Sequence, residues 1–288
     1  VTSMEFDHAD IYDSWEDYRE AFRLFAASIG SGGQLVLNAD DPEVKALGHW
    51  CTGTVTTYGL GEDAQIRATG IEPIDGGQRF DLMAWGEDLG RFTLSFSGRH
   101  NLLNTLAILA VSLGEGVSVD ALRDGLQTFA GIKRRQEVRG EADGVIVVDD
   151  FAHHPTAVHA TLQATRERWP DRRVISVFEP RSNSSRRKVF QQGYQEAFAE
   201  SDALFISVPP FRHNDRISDF MDVEALVRTV DAGGVPAHLA SSPEELLPKI
   251  EAHVRPGDVA VIMSNGGFGG IHDKLLAALR ARDTVNQT

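Results

Sequence analysis

Asp149-Asp150-Phe151-Ala152-His153-His154-Pro155 directly follows the apolar run Val145–Val148, and this junction decides the fold. Two junctions of the same kind come later in the chain. Glu179-Pro180-Arg181-Ser182-Asn183 follows an apolar run at 174–178, and Ser264-Asn265-Gly266-Gly267-Phe268-Gly269-Gly270 follows one at 259–263. In an open α/β sheet the carboxyl ends of the strands share one edge, where ligands bind. We therefore expect the three loops to converge on one ligand site.

The spacing of apolar residues predicts an α/β fold. From residue 137 onward, strands alternate with helices, which predicts a mostly parallel sheet covered on both faces. The predicted helices of this half are 156–168, 185–200, 223–230, 243–253 and 271–282. The first half mixes short strands with helices at 14–29, 101–113 and 119–129. We expect two domains, 1–131 and 132–288, joined by a hinge near Gly131.

Composition limits the classes of function. The 288 residues are 42% hydrophobic and carry a formal net charge of −14, which argues against general nucleic-acid binding because phosphate contact needs a basic face. No apolar run approaches the roughly 20 residues that span a bilayer, so we expect no membrane partner. The single cysteine, Cys51, suits a reducing compartment. Because the chain begins at Val1 within loop-like sequence, we expect it to start partway through a larger protein.

Two of the three junctions carry titratable side chains. Two acids and two imidazoles of the first junction, Asp149, Asp150, His153 and His154, could orient a ribose, a metal-bound water or a reacting amine, because such groups at a strand end are costly to bury unpaired. Alternatively, Asp150 caps a helix and Thr156 or His153 packs locally. The stretch Arg181-Ser182-Asn183 precedes the predicted helix 185–200, whose N-terminus would favour an anion, and Arg181 could clamp a carboxylate with two hydrogen bonds. Helix capping and a solvated basic face are the alternatives.

The third junction, Ser264–Gly270, predicts a backbone nest for an anionic group, with a tight turn as the alternative. It is not a dinucleotide fingerprint, since His272 stands where the last glycine of that motif would fall. The chain also contains no Gly-Lys-Ser/Thr phosphate loop and no nucleophile elbow of the form Gly-x-Ser-x-Gly.

The first half contains two weaker candidates. The cluster Glu5-Phe6-Asp7-His8-Ala9-Asp10 could hold Mg²⁺ through oxygen ligands and one imidazole, although such clusters more often cap or decorate a surface. Asn101 and Asn104 are spaced by three residues on one helix face and could contact a purine edge. A polar helix cap is an equal alternative for these asparagines.

Together these motifs resemble the Mur ligase family, the ATP-dependent amide-bond-forming enzymes of peptidoglycan synthesis. The resemblance runs over nearly the whole chain and is carried, in order, by segments 5–11, 99–104, 132–135, 149–155, 179–183 and 263–272. The loops 179–183 and 264–270 are most similar to members that join murein tripeptide (L-Ala-γ-D-Glu-meso-diaminopimelate) to UDP-N-acetylmuramate in peptidoglycan recycling. The resemblance implies a cytoplasmic enzyme with ATP and Mg²⁺ as cofactors.

The resemblance also implies a division of the family's three domains. Residues 1–131 would be the C-terminal part of the central ATP-binding domain, and 132–288 the Rossmann-like C-terminal domain. The UDP-sugar domain and the phosphate loop would lie upstream of Val1, in missing N-terminal domains that this chain would need as partners. We therefore expect the chain alone to be inactive.

The resemblance further implies a role for each candidate residue. ATP would phosphorylate the lactyl carboxylate of UDP-N-acetylmuramate, and the acceptor amine would attack the resulting acyl phosphate. The implied catalytic residues are Arg135, at the γ-phosphate, and His153, near the amine. The implied ATP contacts are Asn101, Asn104, Arg135 and Asp150, and His8 would bind Mg²⁺. The implied acceptor contacts are Arg181, Ser182, Asn183, Ser264, Asn265 and Gly266.

Two other interpretations of the function stay open. The acceptor could be L-alanine or another amino acid, as in the biosynthetic members of the family. Alternatively, the chain could be a module that binds a peptide or nucleotide without turnover, because it contains no phosphate loop.

Overall fold

The computed structural model describes residues 1–8, 11–209 and 217–286. The chain divides into a first unit, Val1–Ala130, and a second unit that begins at Gly131. Residue Asp10 of the expected magnesium cluster lies outside the described residues. Within the described ranges, no helix combines the length and the hydrophobicity needed to cross a membrane.

The first unit is built on a five-stranded mixed sheet. Its strands are β1 (Gln34–Asn38), β2 (Thr54–Gly59), β3 (Ile66–Ile74), β4 (Gly77–Ala84) and β5 (Glu87–Leu94), and they lie in sequence order. The first three strands are parallel, and β3, β4 and β5 form an antiparallel meander. The helices are α1 (Trp15–Ala27), α2 (Pro42–Ala46), α3 (Arg99–Gly114) and α4 (Val119–Thr128). The buried leucines of α3 share a core cluster with the stacked pair Phe80 and Phe92.

The second unit is a six-stranded sheet in the order β10-β9-β8-β11-β7-β6. Its strands are β6 (Glu137–Ala142), β7 (Val145–Asp150), β8 (Arg173–Phe178), β9 (Ala203–Ser207), β10 (Ala237–Ala240) and β11 (Asp258–Met263). All neighbours are parallel except β6 and β7. The helices are α5 (Pro155–Arg168), α6 (Gln191–Phe198), α7 (Val223–Ala232), α8 (Pro243–His253) and α9 (Ile271–Asn286).

Side chains of the central strands alternate between two cores. Val148 and Val261 belong to the cluster that packs against α5, α6 and α7, whereas Val147 and Ile262 belong to the cluster that packs against α8 and α9. Alternation with period two is what a strand buried on both faces requires. The structure thus confirms the expected α/β fold with a mostly parallel, doubly covered sheet.

One predicted helix is wrong at its start. Helix α6 begins at Gln191, not at residue 185, and residues 183–186 form turns. The hydroxyl of Ser182 accepts a hydrogen bond from the backbone N–H of Ser185 at 2.8 Å. Serine side chains that bond to nearby backbone compete with helix formation in this way. The expected helix N-terminus beside Arg181 is therefore absent from this loop.

Candidate functional site

The three loops singled out in the sequence meet at one edge of the second unit's sheet. Strand β11 lies between β7 and β8, and Met263 is in register with both Asp150 and Phe178. The backbone N–H of Ser264 donates to the carbonyl of Asp150 at 3.1 Å, and the Ser264 hydroxyl donates to the carboxylate of Glu179. Ser264 therefore joins all three loops, as the position of their strands in the sheet predicts.

The neighbours Asp149 and Asp150 point to opposite faces of the sheet, because successive strand side chains alternate. Both are buried. The carboxylate of Asp150 accepts hydrogen bonds from the backbone N–H groups of Ala152 (2.7 Å) and Gln136 (2.8 Å) and from the hydroxyl of Thr161 (3.3 Å). Burial raises the pKa of Asp150, although these donors and Arg135 act against the shift. This carboxylate fixes the backbone of its own loop.

Asp149 instead lies among basic side chains on the α9 face of the sheet. Its carboxylate is 3.2 Å from Nε2 of His272, 3.3 Å from Nη1 of Arg139 and 3.5 Å from Nε of Arg134. Burial alone would raise the pKa of Asp149, but the contact with His272 and the two guanidinium charges hold it below its ordinary value. Asp149 is therefore an ionised anchor for three basic side chains.

Arg134 connects this anchor to the glycine-rich loop. Its Nη2 donates to the carbonyl oxygens of Ser264 and Gly266, both at 2.6 Å. The guanidinium carbon also lies 5.1 Å from the ring centre of Phe151, within the range of a cation–π contact. One side chain thus contacts the first and third loops together.

His153 is held in one orientation by its own loop. Its Nδ1 lies 3.0 Å from the carbonyl oxygen of Phe151, and its backbone carbonyl accepts a hydrogen bond from the hydroxyl of Tyr194. Because a carbonyl oxygen can only accept, Nδ1 carries the hydrogen, and in the neutral ring Nε2 keeps the lone pair. The neighbouring His154 packs against Phe190 instead, with ring centres 5.0 Å apart. The two imidazoles therefore lie in different environments, and one ligand would not contact both.

Arg181 lies across Gly266. A Cβ placed on Gly266 would be 1.8 Å from Nη1 of Arg181 and 2.7 Å from its Cζ, so any larger residue would displace the guanidinium. Arg181 is exposed, whereas Gly266 is buried. The second and third loops thus pack closely because residue 266 is a glycine and has no side chain.

The remaining expected acceptor residues have distinct environments. Asn183 is exposed, and its side-chain oxygen accepts a hydrogen bond from Arg186 at 3.3 Å. Oδ1 of Asn265 is buried and accepts no hydrogen bond from the residues described. The Ser264 hydroxyl accepts one from the N–H of Gly266 at 2.9 Å. Among the residues described, Asn265 is accordingly the amide of this group with a buried acceptor atom that no donor satisfies.

The expected nucleotide contacts are divided between the units. In the second unit, Arg135 is exposed and its guanidinium carbon lies 5.4 Å from the ring centre of Phe151. In the first unit, Asn101 is in the first turn of α3 and donates to the carbonyl of Ser97 at 2.7 Å. Asn104 follows one turn later and is exposed. The side-chain N–H of Asn101 thus bonds to the backbone just before its own helix, while Asn104 faces solvent.

His8 does not form a metal site on its own. Its ring is 59% exposed, and Nε2 lies 3.9 Å from a carboxylate oxygen of Asp7. Among the residues described, no group of three or more histidine, cysteine, aspartate or glutamate side chains is placed to hold a metal ion. Mg²⁺ commonly takes only one or two protein ligands and completes its shell with water and substrate phosphates. These residues alone do not fit a complete magnesium site.

No role was predicted for Arg134, Glu179 or His272, and Asp149 was predicted only as one member of the acidic and imidazole group in the first loop. A signal for Asp149 was present, because a carboxylate at the end of an apolar strand must find partners. No comparable signal existed for Arg134, since its two carbonyl partners lie 130 and 132 residues away along the chain. Only the packed sheet brings these groups together.

The chain is similar to known proteins in both sequence and structure. The profile of the Mur ligase middle domain matches residues 1–112, and that of the Mur ligase, glutamate ligase domain matches residues 134–266. A curated UDP-N-acetylmuramate–L-alanine ligase of Desulforapulum autotrophicum is 33% identical over 97% of this chain and 61% of its own length. The chain thus spans about three fifths of that relative.

Two solved structures resemble the chain along its length. A murein peptide ligase from Psychrobacter arcticus is 28% identical, with a TM-score of 0.68 over 97% of this chain and 57% of that one. The UDP-N-acetylmuramate–alanine ligase MurC from Thermotoga maritima is 19% identical, with a TM-score of 0.75 over 98% of this chain and 59% of that one, and it supports the fold alone. Because two domain profiles of one family match most of its length in order, this chain belongs to the Mur ligase family.

Proposed function

We propose that the protein containing this chain is an ATP-dependent ligase that joins the carboxylate of UDP-N-acetylmuramate to an acceptor amine in the cytoplasm. The observation that carries the proposal is the meeting of three polar loops at one sheet edge, with Arg181 lying across Gly266. Family membership and the name of the 33% identical relative support the reaction class.

The chemistry needs positioning more than covalent participation by the protein. The carboxylate oxygen attacks the γ-phosphorus and ADP leaves; the amine then attacks the acyl carbon, phosphate leaves, and the amine loses a proton. A neutral His153 with its lone pair on Nε2 is suited to accept that proton. Arg135 would balance charge on the transferred phosphoryl group, and Asn104 would contact the adenine. His8 would supply one ligand to Mg²⁺.

We favour murein tripeptide as the acceptor. Arg181 offers a planar pair of donors for a peptide carboxylate, and Asn265 offers a buried acceptor atom beside the same glycine. The 28% identity with the murein peptide ligase of Psychrobacter arcticus also supports this choice. Ser182 would act by holding the turn that carries Arg181 and Asn183.

L-Alanine is the second candidate acceptor. The curated relative at 33% identity is named for L-alanine, and this similarity favours L-alanine over the tripeptide. The similarity and the acceptor loops thus point to different acceptors, so a direct assay must decide between them.

The test uses the protein expressed from the start codon of its gene, with ATP, Mg²⁺ and UDP-N-acetylmuramate. ADP release is followed with the tripeptide and, separately, with L-alanine. We expect release with the tripeptide alone. Release with L-alanine alone assigns the second candidate, and no release with either acceptor rejects the ligase.

The geometry of the acceptor site has its own matched pair of variants. Gly266→Ala places a methyl group where Arg181 lies, so we expect the acceptor KM to rise about tenfold. Gly267→Ala is the control, because nothing lies within 4 Å of its added Cβ. Arg181→Ala should raise the acceptor KM at least as much as Gly266→Ala. An unchanged KM in Arg181→Ala would remove Arg181 from the acceptor site.

A further inference from the structure

We propose that Arg134 is a positioning residue that sets the acceptor affinity by fixing the loop 264–266, an inference that rests on the proposed function. Arg134 precedes β6, yet it contacts a loop on the far side of β7. The residue beside it, Arg135, was the one that the sequence singled out. The contacts of Arg134 give it a separate role from its neighbour.

Two hydrogen bonds from Nη2 join Arg134 to the glycine-rich loop. Both hydrogens of this nitrogen point to carbonyl oxygens, those of Ser264 and Gly266. Both residues are buried, so these carbonyls depend on a protein donor rather than on water. A charged donor makes such bonds short and strong. Arg134 therefore holds the backbone on both sides of Asn265.

The backbone of Arg134 is itself held by hydrogen bonds to neighbouring segments. Its φ of 61° lies in the left-handed region, which is strained for a residue other than glycine. Its N–H donates to Glu137 at 2.8 Å, and its carbonyl accepts from the N–H of Phe151 at 2.8 Å. Strained backbone that the surroundings impose is concentrated at functional sites. The strain here aims the side chain at the glycine-rich loop.

The loop 264–266 also supports Arg181, the residue proposed to bind the carboxylate of the acceptor. Gly266, whose carbonyl Arg134 holds, is the residue against which the guanidinium of Arg181 lies. A shift of this glycine by even 1 Å changes the surface that supports Arg181. Misplacement of that size at a distance from the chemistry can reduce catalysis strongly. Arg134 thus acts on the acceptor through Gly266 and Arg181, without touching it.

Arg139 provides a matched control. Its side chain is 31% exposed, as is that of Arg134, and both contact Asp149. Nη2 of Arg139 lies 3.0 Å from a carboxylate oxygen of Asp273, whereas Nη2 of Arg134 bonds to the loop. Replacing Arg139 therefore removes one cation from Asp149 and leaves the loop bonds in place.

The experiment compares Arg134→Ala, Arg134→Lys and Arg139→Ala in the protein expressed from its start codon. We expect Arg134→Ala to raise the acceptor KM about tenfold or more, with the ATP KM within about twofold of the parent value. Arg134→Lys should give a smaller rise than Arg134→Ala, because an ammonium group keeps the positive charge and hydrogen-bond donors of Nη2. Arg139→Ala should leave both constants near the parent values.

Amide hydrogen exchange of peptides covering 264–268 is the readout that does not depend on turnover. It should be faster in Arg134→Ala than in Arg139→Ala. Equal exchange in the two variants, an unchanged acceptor KM, or a rise confined to the ATP KM would each overturn the inference. A parent protein that releases no ADP would reject the proposed function instead, and the exchange comparison would still decide whether Arg134 fixes the loop.

Discussion

In each unit, a carboxylate at the sheet edge formed by the carboxyl ends of the parallel strands binds neighbouring segments, but the kinds of partner differ between the two units. In the first unit, Asp40 accepts hydrogen bonds from the N–H groups of Leu60 and Gly61 at about 3 Å, and it pairs with Arg99, which is 58% exposed. In the second unit, Asp149 is 3% exposed and contacts three basic side chains. The first edge thus depends on backbone donors and the second on buried charge.

The largest expected effect follows from that difference. Asp149→Asn leaves Arg134, Arg139 and His272 without their anion in a buried setting, which typically costs about 3–5 kcal/mol. Calorimetry should show this loss in the unfolding of the second unit. Asp273→Asn is the control, because that carboxylate is 74% exposed and also pairs with Arg139. A loss in the control equal to that in Asp149→Asn would contradict the buried-anchor interpretation.

The same anchor gives the second unit a response to acid. The folded pKa of Asp149 is below its ordinary value of 3.8. The unfolded chain therefore binds the proton more readily, and the stabilising contribution is complete above that ordinary value and is lost as the pH falls through the folded pKa. Asp149→Asn should remove this part of the acid sensitivity.

The first unit should respond at the opposite end of the pH scale. Tyr58 is fully buried, and its hydroxyl has no hydrogen-bond partner among the residues that the structure describes. Burial, with the charge of Asp40, raises the pKa of Tyr58 to about 12 from 10.0. Because the folded pKa is the higher one, stability is complete below pH 10 and falls by about 2–3 kcal/mol as the pH approaches 12.

Tyr58→Phe tests this contrast. Phenylalanine removes the titrating hydroxyl without removing a hydrogen bond seen in the described structure, so the stability at pH 7 should be unchanged or greater. Fluorescence-detected unfolding between pH 9 and 11 should lose its downward slope in the variant. A slope that persists would assign the alkaline response to other groups.

The sequence predicted the fold and the place of the site better than the connections within it. The alternation of strands and helices was sufficient to locate β7, β8 and β11, because buried strands carry an unbroken apolar signal. Their shared edge followed from the rules of parallel sheets. The helix expected at 185–200 was wrong at its start, since the hydroxyl of Ser182 bonds to the backbone N–H of Ser185 instead.

The connections that hold the site could not be predicted, because they depend on packing between distant segments. Arg134 and Arg135 are identical neighbours in the sequence, yet one bonds to the loop at 264–266 and the other is exposed. Likewise, Arg181 lies over Gly266 only because β8 and β11, which precede these two residues, are neighbours in the sheet. Local sequence carries no information about either contact.

The smallest expected effect is at Arg99, the exposed cation that pairs with Asp40 in the first unit. Arg99→Gln removes the ion pair with Asp40 but leaves the N–H donors of Leu60 and Gly61 in place, so the loss should stay below about 1 kcal/mol. Asp40→Ala should cost more, about 1–3 kcal/mol, since those partly buried donors lose their acceptor. Calorimetry of the first unit should rank the two variants in this order. If Arg99→Gln cost as much as Asp40→Ala, the first edge would depend on charge as the second one does, and the contrast between the two edges would be wrong.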